Sequence, residues 1–138
     1  TELSASLLNA LHPADNLKLG AGYACFVVGI EPKANDRAKI TLNEQGAVSD
    51  TEHWNNIITA SKAEHIYWSA YPANAELPAF PANAKAERYD LETGHHGAQT
   101  AQALALSIEN IATKKITGPC MILDIFDDRI GALVVEPC

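Results

Sequence analysis

The sequence predicts an α/β fold, a layered mixed β-sheet with helices, on three observations. Apolar runs at residues 23–30, 65–71 and 120–126 are rich in β-branched and aromatic residues and read as buried strands. Between them stand segments whose apolar residues recur at helical spacing, around 51–63 and 97–113. The chain then closes on two apolar segments joined by Asp127-Asp128, a hairpin signal that adds an antiparallel pair to alternating helices and strands. At 138 residues this is a single domain, 1–138, long enough to bury a real core.

Taken in order, Glu2 to Leu11 reads as a short helix with Leu7, Leu8 and Leu11 on one face, ended by His12-Pro13. Gly20-Ala21-Gly22 opens the strand Tyr23 to Ile30, and Glu31-Pro32 stops it. Ala38 to Leu42 forms a second strand with partial alternation, and a turn is expected around Asn43 to Gly46. Asp50 is a suitable N-cap for a helix from Thr51 to about Ala63 that carries Trp54, Ile57, Ile58 and Ala60. His65 to Tyr71 is a strand closed by Pro72. The stretch from Pro72 to Ala86, rich in Ala, Asn and Pro, is too proline-rich for a helix; a loop of that length is a candidate lid. The best helix runs from Gly97 to about Thr113, with Lys114-Lys115 complementing its C-terminus. Cys120 to Phe126 and Ile130 to Val135 make the closing hairpin.

Composition narrows the function. A net charge of −7 with only three scattered arginines argues against nucleic acid and anionic membranes, because phosphate binding needs clustered Lys and Arg. No apolar run approaches the ~20 residues of a membrane span. A mildly acidic surface suits a cytoplasmic protein, and no basic-then-apolar leader is visible. The absence of methionine before Thr1 reads as methionine removal or trimming rather than as an autoprocessed threonine nucleophile. Cys25 and Cys120 lie in apolar runs and Cys138 at the end, with no CxxC pair, so these are free thiols of a reducing compartment.

The stretch Thr93-Gly94-His95-His96-Gly97-Ala98 concentrates the chemistry. It stands directly before the best helix, whose first N–H groups lack intrahelical partners and favour an anion or a developing oxyanion. Gly94 and Gly97 let a ligand approach the backbone, and His95 and His96 suit proton transfer near neutral pH. The alternative is that one histidine packs against the helix start while the other faces solvent. Tyr71 is the third candidate, since α/β sheets bind ligands beyond the carboxyl ends of their strands. No HxxH or HxH spacing marks a metal site, and no cofactor is implied. His12, His53 and His65 read as structural or surface residues. Asp124, a charge inside an apolar strand, needs a partner, and Arg129 is the nearest candidate.

The order of these features resembles the C-terminal half of the β-ketoacyl synthases, condensing enzymes with a thiolase fold. Gly20-Ala21-Gly22-Tyr23-Ala24 and the strand after it resemble the family's Gly-Glu-Gly-Ala turn and buried strand. Tyr67 to Pro72 echoes a Tyr-x-x-Ala-His-Gly-Thr strand. Gly94-His95 with Gly97-Ala98 is similar to the Gly-His turn that opens a long alanine-rich helix, and Cys120 to Val135 to the closing hairpin. The resemblance spans roughly residues 20 to 136. Within it the first catalytic histidine falls on Tyr71, the lysine on Asp90, and only the Gly-His histidine is kept, as His95. The nucleophilic cysteine belongs to the half that has no counterpart here. The resemblance therefore implies a half-sized, catalytically stripped relative. Such a domain would serve fatty-acid or polyketide assembly with a ketosynthase or acyl carrier protein, as a homo- or hetero-oligomer. The alternatives are a small ligand-binding module and a stand-alone hydrolase or isomerase using His95 or His96.

Overall fold

Alternation along the two most apolar strands decides the architecture, because each must bury both of its faces. In a computed structural model of the chain, which describes residues 29, 31, 33, 37–72, 75–90 and 99–138, five strands and two helices follow one another. They are β1 (Ala38–Ala47), α1 (Thr51–Ser61), β2 (His65–Tyr71), β3 (Lys85–Arg88), α2 (Gln99–Ala112), β4 (Cys120–Phe126) and β5 (Arg129–Pro137). The strands form one sheet in the order β1-β5-β4-β2-β3. β2 pairs parallel with β3 and β4, whereas β5 pairs antiparallel with β4 and β1. The sheet is mixed, as the sequence predicts, and β5 runs against the other four. The helix expected at Glu2–Leu11 and the strand at Tyr23–Ile30 lie outside the described residues, as do His12 and Cys25.

Successive residues of β2 and β4 feed two cores on opposite faces. Ile66 and Ala70 of β2 with Met121, Leu123 and Ile125 of β4 join Trp54 and Ile58 of α1. Tyr67 with Cys120 and Ile122 joins Ala103 and Ile111 of α2. The described residues thus form a helix–sheet–helix sandwich. Burying a side chain the size of Ile58 contributes ~1.5–3 kcal/mol, which is why helices with a single apolar stripe hold to the sheet. Trp54 also donates from Nε1 to the carbonyl of Ala47 at 2.7 Å, tying α1 to the end of β1.

Three local features differ from the sequence reading. β1 continues to Ala47 through the stretch expected to turn, because Asn43 to Ala47 pair with Leu133 to Arg129 of β5. A bulge between Ile40 and Leu42 explains the imperfect alternation. β3, four residues long and polar except for Ala86, was not anticipated; it is an edge strand of the described sheet without an apolar pattern. The described part of the 72–84 loop is anchored rather than loose. Ala75, Phe80 and Ala84 pack against the α1 core, and Asn55 Oδ1 accepts the Ala79 N–H at 3.1 Å. Asp50 takes the N-cap position of α1 without a side-chain bond, and Lys62, left-handed at φ 52°, ends the helix. Asp127 turns the hairpin at φ 52°, a region an aspartate tolerates. Among the described residues no helix is long and apolar enough to cross a membrane.

Candidate functional site

Because β5 alone is reversed, the carboxyl ends of β1, β2, β3 and β4 share one edge of the sheet, where α/β proteins place ligands. Ser69 and Asp124 are register partners there, on β2 and β4. β3 leads into Tyr89 and Asp90 at the same edge, and α2 starts above it with Gln99 and Thr100.

These side chains form one hydrogen-bonded network. Ser69 Oγ donates to Asp124 Oδ1 at 2.7 Å, and Thr100 Oγ1 donates to Asp124 Oδ2 at 3.0 Å. A hydroxyl carries one proton, so Ser69 Oγ acts as acceptor toward its other neighbours. Gln99 Nε2 donates to it at 3.2 Å, and the phenol of Tyr89 shares a 3.0 Å bond with it. Tyr89 OH also lies 3.4 Å from Thr100 Oγ1. Burial, and next the negative charge of Asp124, push the Tyr89 phenol up to about 12. At neutral pH it is a hydrogen-bond donor and not a base. Ser69 is fully buried, so its hydroxyl serves the network and not an incoming substrate.

Asp90 is also buried, at 1% exposure, and its carboxylate is bound by Arg88, Nε to Oδ1 at 2.6 Å and Nη2 to Oδ2 at 3.2 Å. The same guanidinium donates to the carbonyl of Ala70 at 3.0 Å and lies over the Trp68 ring, 5.0 Å from its centroid. One arginine thus neutralises the acid, ties β3 to β2 and covers an aromatic face. Tyr71, the candidate at the end of β2, stacks on Phe126 with centroids 5.1 Å apart and planes at 17°. Its carbonyl accepts the N–H of Asp127 at 2.7 Å.

A pocket of about 300 Å³ opens beside the network. Asn43 and Gln45 of β1, Asp124 and Phe126 of β4, Arg129 and Leu133 of β5, and Thr100 of α2 line it. Asp124 therefore belongs to both the network and the pocket wall.

His95, His96, Gly94 and Gly97 lie outside the described residues. The described residues nearest them in sequence, Asp90 and Gln99, are both at this edge. His53 sits on α1 with Nε2 3.0 Å from Glu44 Oε2, an exposed pair. His65 opens β2 and stacks on Tyr67. The partners of Asp124 are the hydroxyls of Ser69 and Thr100, and not Arg129. Ser69, Tyr89, Gln99 and Thr100 were missed as a group. The available signal was that Ser69 and Asp124 are each the fifth residue of a seven-residue apolar strand. Only strand register turns that coincidence into contact. Among the described residues no three His, Cys, Asp or Glu side chains converge as metal ligands. No family model, curated protein or solved structure matches the chain.

Proposed function

We propose that this chain is a non-catalytic, accessory domain of the β-ketoacyl-synthase type, acting in fatty-acid or polyketide-type assembly through protein partners. The observation that carries the reading is the occupancy of two positions at the carboxyl edge. Where the resemblance puts a catalytic histidine and a lysine, Tyr71 is stacked on Phe126 and Asp90 is buried against Arg88. Both side chains are committed to holding the edge together. A mixed sheet that closes in the β4–β5 hairpin, preceded by α2, is compatible with this reading. The fully buried Ser69 offers no nucleophile, and Tyr89 keeps its proton.

Turnover is the direct test of the non-catalytic part. The purified chain, offered acyl and malonyl thioesters and a panel of simple esters, is expected to consume none above the buffer rate. Turnover that disappears in His95→Ala with the circular dichroism spectrum intact would instead establish the stand-alone enzyme.

A further inference from the structure

We propose that the pocket at the carboxyl edge binds a small zwitterion with an apolar side chain, of the free α-amino acid type. The site is independent of the accessory role, so either can fail without the other.

Among the described residues, two opposite charges in the pocket have no ion-pair partner. Asp124 sits in an otherwise apolar strand, and the Ser69 and Thr100 hydroxyls orient its carboxylate without neutralising it. Among the described residues no cation comes within ion-pair distance of it. Arg129 lines the same pocket, and its guanidinium makes no ion pair or hydrogen bond among those residues. The remaining acid of the wall, Glu44, is engaged by His53. Asp124 is half-buried whereas Arg129 is exposed, so the uncompensated charge is costly at Asp124, where a ligand ammonium gains most, and Arg129 is the accessible cation for the ligand's carboxylate.

Register sets the backbone positions of the two residues. Asp124 faces Gly131 across the β4–β5 ladder, and Arg129 faces Phe126, two residues further along. Two residues of strand correspond to ~7 Å of rise, and the two side chains form no ion pair among the described ones, so a molecule carrying an ammonium and a carboxylate can bridge them. Arg129 offers planar, bidentate geometry to the carboxylate, and Asp124 accepts from the ammonium. Phe126 and Leu133 provide an apolar wall, and Asn43 and Gln45 add amides. The space exists because Gly131 has no side chain opposite Asp124. A Cβ there would meet Gln45 Cγ at 3.8 Å, an ordinary contact, so the backbone accepts a side chain at this position.

The probes are L-leucine and its one-charge analogues isoamylamine and 4-methylpentanoate, titrated into the ¹⁵N-labelled full chain. Leucine is expected to shift the amide signals of Asp124, Arg129 and Gly131. Each analogue should bind about ten- to a hundredfold more weakly, the loss expected for one charge-assisted contact. Arg129→Gln and Asp124→Asn should weaken leucine by a similar factor. Gly131→Val should abolish binding with the spectrum otherwise retained, which guards against an Asp124→Asn variant that fails to fold. No shift with leucine at millimolar concentration, or equal binding of leucine and either analogue, would overturn the proposal.

Discussion

Arg88 holds Asp90 in the interior, and that pair is where one residue matters most. Removing the cation leaves a carboxylate at 1% exposure without a counter-charge. Arg88→Ala should therefore lower the urea unfolding free energy by ~3–5 kcal/mol. Arg88→Lys should restore only part, because a compact ammonium lacks the planar fork that reaches both carboxylate oxygens and the Ala70 carbonyl from two separate nitrogens. Little change in Arg88→Ala would mean that the pair is not a brace. Two protonation equilibria give a second residue-scale prediction. Burial pushes the Cys120 thiol from 9.0 up to about 11, while burial and Asp124 take the Tyr89 phenol from 10.0 to about 12. Both folded-state values lie above those of the unfolded chain. As pH rises, the unfolded chain releases these protons first. Their contribution is complete below pH 9 and drains away between pH 9 and 12, by on the order of 3 kcal/mol for a two-unit shift. Urea midpoints measured across that range should fall, and Tyr89→Phe should flatten the decline above pH 10. A thiol reagent should modify Cys138, which is exposed, well before Cys120, as read by peptide mass spectrometry.

Helix α1 shows how an element is fixed by one large side chain. Trp54 is 1% exposed, donates to the Ala47 carbonyl, and lies so near Gly46 that a Cβ there would sit 3.0 Å from its ring. Gly46→Ala should lower the melting temperature, as overpacking a core costs ~1–3 kcal/mol, and an unchanged transition would show that the ring has room to yield. Elements of this kind were legible in the sequence. The α1 periodicity, the unbroken apolar runs of β2 and β4 and the Asp127-Asp128 turn are local signals strong enough to stand alone. β1 was legible only to Leu42, because its second half is strand by virtue of pairing with β5 across 82 to 90 residues of chain. β3 carried no signal at all. Lys85-Ala86-Glu87-Arg88 becomes a strand through four pairings with β2, and an edge strand has no second neighbour to demand apolar residues.

At the scale of the molecule, the mixed α/β sandwich followed from the alternation of helices with buried strands, whereas the polar network at its carboxyl edge did not. Asp124 was visible as an anomaly, but its partners come from β2 and α2, 55 and 24 residues away in sequence. Such a network is set by register, which a single sequence does not encode locally. The same edge holds Tyr71 stacked on Phe126 and Asp90 paired with Arg88, the two contacts on which the proposed accessory role rests. The measurement that tests it most directly is gentle purification of the chain from its native cell extract, with its companions identified and quantified by mass spectrometry. A ketosynthase or an acyl carrier protein is expected at near-equal amount, in a complex that sediments as one species. A chain that emerges alone, as a monodisperse monomer, would contradict it.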